Sequence, residues 1–215
     1  MNRIITFGCS FTYGHGLRDC INENLGPGKY PSMFSWPNLI AKKLNKEIVN
    51  MAHCGASNKQ IAHLVDNFQF HETDICLIQW TLINRYTIFF QDNTIQQITP
   101  NSKTQKAKNY YKMMMNLYNV YDKSIDIRLL LNGINYKLKN KNIKTINFSP
   151  ITVRDKFDKD QKLFENLVKF DFSVDKNNIG FLPYVDVGLD NWHPGPKAHK
   201  QFAEYILEEY PWLKD

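Results

Sequence analysis

Short apolar runs alternate with amphipathic segments along most of this chain, and the alternation limits the folds it can adopt. The apolar runs are typical of buried β-strands, and the segments between them carry apolar residues at helical spacing. The four runs are MNRIITF, KEIVNMA, DICLIQW and IKTINFS. Strands and helices that alternate in this way form a parallel sheet with right-handed crossovers and helices on both faces. The sequence therefore predicts an α/β fold.

Amphipathic helices are predicted in three segments beside these runs. Their sequences are SWPNLIAKKLN with Ser35 as a candidate N-cap, ASNKQIAHLVDNF, and PKAHKQFAEYILEEY with Pro196 near its start. A longer helical stretch is predicted from about Lys106 to Leu138 and a further helix around Lys159 to Val168. Between Gln91 and Lys103 the chain is polar and weakly periodic, which predicts a loop that serves as a lid or an insertion.

Length and composition narrow the class of protein. The 215 residues, of which 43% are hydrophobic, are enough for one domain spanning residues 1–215. No run reaches the roughly 18 consecutive apolar residues of a membrane helix, and no signal-peptide pattern is seen, so we expect a cytoplasmic protein without a membrane partner. The cysteines match neither metal-binding pairs nor a disulfide framework, so we expect free thiols and no metal site. They are Cys9, Cys20, Cys54 and Cys76.

The net charge of +6 is a mild excess of basic side chains. It is compatible with anionic partners, and nucleic-acid binding is one hypothesis that it raises. That hypothesis requires an affinity that falls steeply with added salt. A solvated basic surface explains the same charge, so we do not expect a nucleic-acid partner, and the sequence does not indicate an oligomeric state.

Polar residues that can perform chemistry follow the predicted strands. In an open α/β sheet, ligands bind outside the carboxyl ends of the strands. A serine hydroxyl becomes a nucleophile when a histidine takes its proton and a carboxylate orients that histidine. Ser10 after the first strand, with Asp190 and His193 in the last loop, can supply these groups. Backbone amides of Ser10 and Gly55 and the side chain of Asn84 are candidate donors to an oxyanion.

Three sequence blocks carry a family resemblance. FGCSFTYG, NMAHCGASN and DNWHPG resemble the first, second and fifth blocks of the SGNH (GDSL-type) hydrolase superfamily. The resemblance implies a flavodoxin-like three-layer α/β/α sandwich with a central parallel sheet. It also implies Ser10 as nucleophile, Gly55 as an oxyanion donor, and Asp190 with His193 as the rest of a catalytic triad. The implied activity is that of a serine esterase that needs no cofactor.

Two blocks depart from the family pattern. Cys9 stands where the family has an aspartate beside the nucleophile. The third block, G-x-N-D in the family, reads WTLINR, and its only asparagine is Asn84. Thr81 is the alternative occupant of that site. Arg85 either binds an anionic group of the substrate or pairs with a surface carboxylate.

The substrate expectation is an O-acyl ester with a short acyl group such as acetyl, carried by a sugar or another small molecule. Trp80 and Trp192 are candidate stacking surfaces for a sugar ring, although Trp80 suits the core equally well. Acyltransferase or lipase-type activity stays open as an alternative. A binding module that keeps the fold without catalysis is another, motivated by Cys9 and the unusual third block.

Overall fold

A four-stranded parallel sheet forms the centre of the computed structural model, which describes residues 3–99, 102–117, 119–148 and 185–214. The sheet order is β2-β1-β3-β6, and β4 pairs with β5 in a separate antiparallel hairpin. The strands are β1 (Arg3–Phe7), β2 (Glu47–Asn50), β3 (Ile75–Gln79), β4 (Tyr86–Phe89), β5 (Ile95–Ile98) and β6 (Lys144–Phe148). All four strands predicted from the apolar runs are present and parallel.

Helices cover both faces of this sheet. They are α1 (Ser10–Tyr13), α2 (Trp36–Leu44), α3 (Asn58–Asn67), α4 (Gln105–Leu117), α5 (Val120–Asn140) and α6 (Pro196–Glu209), followed by a 3₁₀ turn at Pro211–Lys214. Successive β1 side chains enter different cores, because Ile4 packs with α2 and α6 whereas Ile5 packs with α3 and α5. This confirms the three-layer α/β/α sandwich. Within the described ranges, no helix combines the length and apolar character needed to cross a membrane.

Local interactions explain where the helices begin. Ser35 occupies the N-cap position of α2 as predicted, but its hydroxyl donates to the Ser32 carbonyl and makes no capping bond. Ser57 caps α3 by accepting from the Gln60 amide. At α6 the Asp186 carboxylate accepts from two free backbone amides of the first turn, Lys197 and Ala198. Asp186 therefore fixes the loop that precedes α6.

The prediction of a loop from Gln91 to Lys103 is wrong in part. This segment contains β5, which pairs with β4 across a turn at Phe90–Thr94. Asp92 stabilises the turn by accepting from both the amide and the hydroxyl of Thr94. The strand was not recognised because polar Gln96 and Gln97 lie in the middle of it, and the latter bonds to the side chain of Gln60.

The predicted helical stretch from Lys106 to Leu138 is two helices. The first helix, α4, ends at Leu117, and α5 begins at Val120. Asn119 caps the second helix by accepting from the Asp122 amide. The continuous Met-, Leu- and Tyr-rich pattern concealed that cap. The predicted helix at Lys159 to Val168 lies outside the described residues. The four cysteines are free thiols, as expected.

Candidate active site

Ser10 is the first residue of α1, at the tight turn that follows β1. Gly8 makes this turn possible, because a Cβ there would lie 2.1 Å from the Thr12 hydroxyl. The Thr12 hydroxyl donates to Gln79 Oε1 at 2.6 Å, which ties α1 to the end of β3. Cys9 is the N-cap residue of α1 and forms no side-chain capping bond. The turn therefore depends on packing and backbone bonds rather than on a carboxylate beside the serine.

Asp190 and His193 form a closely bonded pair in the loop before α6. The Nδ1 of His193 is 2.5 Å from Asp190 Oδ2. The other carboxylate oxygen accepts from the backbone amides of Trp192 and His193 at 3.1 and 3.0 Å. An ionised carboxylate only accepts hydrogen bonds, so Nδ1 carries the proton and Nε2 is left as the basic atom. This orientation suits a general base.

The loop that holds this pair packs on the segment that Ser10 begins. The ring centroid of His193 is 5.4 Å from that of Phe11 and 4.3 Å from that of His15. The Leu189 amide donates to the Gly16 carbonyl at 2.8 Å. A Cβ on Gly16 would lie 2.9 Å from Asp190 Oδ1, so only glycine allows this approach. The two ends of the chain thus meet beside α1.

His15 was missed by the sequence analysis. Its Nε2 is 3.9 Å from Asp190 Oδ2 and 3.2 Å from the Leu25 carbonyl oxygen. The sequence signal was a histidine between Gly14 and Gly16, soon after the candidate nucleophile. That signal predicts a turn, and only the packing of the Asp190 loop reveals the contact.

Burial and neighbouring charges determine the protonation of the pair. Burial lowers the pKa of His193 to about 4; the Asp190 hydrogen bond opposes this shift, and positive charge on His15 and Arg85 adds to it. Burial alone would raise the pKa of Asp190, but hydrogen bonds from His193 and Trp192 leave it below its usual value. At neutral pH the imidazole is therefore neutral and the carboxylate is ionised.

The second block lies beside the Ser10 turn. The His53 amide donates to the Gly8 carbonyl at 3.1 Å, which connects the loop after β2 with the loop after β1. Gly55 has a φ of 81°, in the left-handed region, and a Cβ there would lie 2.7 Å from Gln97 Oε1. Conformation and close approach by the β4–β5 hairpin both require glycine at this position.

The third block has three polar groups without partners in the described part of the chain. Asn58 holds the Thr81 backbone by accepting from its amide at 2.7 Å and donating to its carbonyl at 2.9 Å. The Thr81 hydroxyl is buried and unbonded, as is Nη1 of Arg85. Oδ1 of Asn84 is likewise buried without a partner.

The two candidate tryptophans differ in position. Trp80 is fully buried among core residues and donates to Asn147 Oδ1 at 3.0 Å. Trp80 offers no surface on which a sugar ring could stack, so its position fits the interpretation of Trp80 as a core residue. Trp192, next to His193, is 71% exposed.

His15, Asp190 and His193 also have potential metal-ligand atoms within 4.8 Å of one another. The shortest of these separations is the hydrogen bond between the His193 Nδ1 and the Asp190 carboxylate. A metal at this position would need the same atoms that make the bond. Their present arrangement is that of a hydrogen-bonded acid–base pair.

Comparison with known proteins places the chain in a family. Residues 4–206 match the family model described as GDSL-like Lipase/Acylhydrolase. No curated protein gives a significant match. The family model covers the loops of all three sequence blocks as well as the sheet between them.

Several solved structures share the fold at low sequence identity. Psychrotrophic esterase EstA from Pseudoalteromonas sp. is 12% identical over the whole of both chains, with a TM-score of 0.55. LAE5, an alpha/beta hydrolase from the metagenome of Lake Arreo, is 13% identical with a TM-score of 0.62, over 99% of this chain and 96% of that one.

The acetyl xylan esterase Est2A from the rumen bacterium Butyrivibrio proteoclasticus is 11% identical with a TM-score of 0.54. The match covers 97% of this chain and 63% of the esterase. The present chain thus corresponds to less than two thirds of the length of this relative.

Proposed function

Because the chain belongs to the GDSL-like lipase/acylhydrolase family of ester hydrolases, we propose that it is a serine esterase. Ser10 attacks the ester carbonyl, and Nε2 of His193 takes the hydroxyl proton and returns it to the leaving alcohol. Asp190 orients the imidazole and stabilises its charged form. Water then attacks the acyl-enzyme with His193 again as the base. The observation that carries this proposal is the 2.5 Å Asp190–His193 contact in a loop packed against α1.

The oxyanion donors in this proposal come from three loops. Backbone amides of Ser10 and Gly55 donate from the first two blocks. We assign the third donor to Thr81, because its hydroxyl is buried and unbonded among the described residues and Asn58 fixes its backbone. Asn84 is the weaker candidate, because the atom of its side chain that is buried without a partner is Oδ1, which accepts hydrogen bonds and does not donate them.

The proposed substrate is a short-chain ester carried by a carbohydrate. One structural relative is an acetyl xylan esterase, and another is a family two carbohydrate esterase solved in complex with cellohexaose. On this chain the support comes from Trp192, an exposed indole beside the candidate base. An exposed indole can stack on the apolar face of a sugar ring.

A fluorophosphonate probe tests the proposal. Attack by the Ser10 hydroxyl forms an O–P bond, fluoride leaves, and His193 takes the proton. We expect labelling of wild type, loss in Ser10→Ala and strong loss in His193→Ala. Ser102→Ala and His71→Ala are matched controls, since the bonds recorded for these residues are to Thr99 and Asp74 and not to the proposed catalytic groups. Equal labelling of wild type and Ser10→Ala in folded samples would reject the proposal.

Turnover provides a second readout. We expect p-nitrophenyl acetate hydrolysis to depend on Ser10, and acetylated xylo-oligosaccharide to be deacetylated faster than a long-chain p-nitrophenyl ester. Trp192→Ala should lower kcat/KM for acetylated xylo-oligosaccharide more than it lowers kcat/KM for p-nitrophenyl acetate. Binding of the sugar without hydrolysis would indicate that the fold serves as a binding module.

A further inference from the structure

A cavity lies between α3, α5 and the β4–β5 hairpin, away from the Asp190–His193 pair. Its volume is about 960 Å³, at the upper end of the range of small-molecule sites. Most of its wall is apolar, and neither Ser10 nor His193 lines it. Six of the apolar wall residues are Ala62, Ile83, Phe89, Ile127, Leu130 and Ile134.

Arg85 supplies a polar feature on this wall that has no partner in the described chain. The guanidinium is always charged, and its Nη1 is buried without a hydrogen-bond acceptor. A buried charged donor left unbonded is costly, and a carboxylate is the acceptor that best matches the planar guanidinium. Arg85 therefore defines where the anionic group of a ligand would lie.

The other charges on the wall are compatible with an anion. The wall carries four cationic side chains and two carboxylates. One carboxylate, Asp66, is already paired with Lys137 at 2.6 Å. Lys59 lies over the ring of Phe89, with its ammonium 5.5 Å from the centroid. An incoming carboxylate thus meets an excess of positive charge beside apolar surface.

We propose that this cavity binds an apolar organic carboxylate. The carboxylate accepts from Arg85, and the hydrocarbon or aromatic body packs against the facing side chains of α3 and α5. The site is distinct from the proposed catalytic groups, so it does not require that the chain be an esterase. Arg85 nevertheless couples the two sites electrostatically, because its positive charge contributes to the lowered pKa of His193.

Calorimetric titration with 4-phenylbutyrate and its neutral analogue 4-phenylbutyramide tests the charge requirement. The two ligands have similar shape and differ in the group that would meet Arg85. We expect the carboxylate to bind about tenfold tighter than the amide. Arg85→Gln should remove this preference, and Arg85→Lys should keep part of it. Equal affinities of wild type for the two ligands would overturn the proposal.

Gly133 provides a variant that tests the location independently of Arg85. It lines the cavity from α5, and no atom lies within 4 Å of where its Cβ would be. Gly133→Leu should therefore occupy part of the cavity and weaken binding of 4-phenylbutyrate, whereas Gly133→Ala should retain it. Unchanged binding by Gly133→Leu would contradict the assignment.

Circular dichroism and thermal melting establish that each variant is folded before titration. If Arg85→Gln does not fold, Arg85→Lys and Gly133→Leu still decide the outcome. The ligands are not esters, so their binding is independent of turnover. Failure of fluorophosphonate labelling at Ser10 would reject the esterase proposal without affecting the carboxylate site. Failure of 4-phenylbutyrate to bind would reject the carboxylate site without affecting the esterase proposal.

Discussion

The loop that holds Asp190 and His193 differs from the 81–85 segment in how its polar atoms are bonded. In the first, both carboxylate oxygens of Asp190 accept hydrogen bonds from within the loop. In the second, the Thr81 hydroxyl and Arg85 Nη1 are buried without partners in the described chain. A satisfied loop holds a catalytic group in one orientation, whereas unbonded donors are available to a ligand. The comparison separates the groups that position the base from the groups that a ligand can contact, which are Thr81 at the proposed oxyanion and Arg85 in the neighbouring cavity.

Removal of the hydrogen bond between Asp190 and His193 should reduce activity the most. Asp190→Asn replaces the acceptor of the Nδ1 proton with an amide that can donate to that nitrogen, which favours the wrong tautomer of His193. We expect kcat for p-nitrophenyl acetate to fall by about 10³–10⁴-fold with little change in Tm. Asp92→Asn, on the hairpin turn, is the matched control and should keep its activity. A loss below tenfold would show that Asp190 does not orient the base.

Substitutions in the 81–85 segment should reduce activity less, and their effects should distinguish Thr81 from Asn84. Thr81→Val removes the hydroxyl and keeps the shape, so we expect kcat/KM to fall about 100-fold. Asn84→Ala should change kcat/KM much less, because the unpartnered buried atom of Asn84 is Oδ1, an acceptor that cannot donate to an oxyanion. Steady-state kinetics of both variants decide between them. The reverse ranking would return the family's asparagine role to Asn84.

The pH profile tests the charges around His193. Because its pKa lies at about 4, the imidazole stays neutral as pH falls through 6.5, and kcat/KM should decline only as pH nears 4. His15→Phe removes a positive charge that lowers this pKa, so the acidic limb should move to higher pH. The pH profiles of kcat/KM for wild type and His15→Phe, measured over the range in which both proteins are folded, provide this comparison. A wild-type limb centred near pH 6.5 would contradict the buried, neutral base.

A smaller effect concerns the stability of the fold rather than turnover. His199 is fully buried, its Nδ1 accepts from the Trp36 amide, and burial together with nearby His193 lowers its pKa to about 3. Between pH 6.5 and 3 the unfolded chain binds the extra proton, so lowering pH costs about 1.4 kcal/mol per unit at this residue. His199→Gln keeps an acceptor and should flatten the decline of Tm with acid. His71→Gln, at an exposed site, should not.

The sequence predicted the parallel sheet because each strand is an apolar run with helices on either side, and the structure places Ile4 and Ile5 in the cores on its two faces. It did not predict β5, where Gln97 bonds to the Gln60 side chain, nor the helix break at Asn119. Hydrophobic periodicity reports neither a tertiary bond between polar side chains nor a cap inside a continuous apolar pattern. For the same reason, the partner of Trp80 could not be identified from the sequence.

At the site, the sequence identified the residues of the Asp190–His193 loop because a short turn forces i and i+3 together. It missed His15, whose contact with His193 depends on packing between opposite ends of the chain. The third block was ambiguous since spacing alone does not say whether Thr81, Asn84 or Arg85 points toward the substrate.

A crystal structure of the protein after reaction with a fluorophosphonate would test the central claim most directly. We expect phosphorus bonded to Ser10 Oγ, the phosphoryl oxygen against the backbone amides of Ser10 and Gly55, and His193 Nε2 about 3 Å from Ser10 Oγ. An adduct on another residue, or an imidazole beyond hydrogen-bond reach of Ser10, would contradict it.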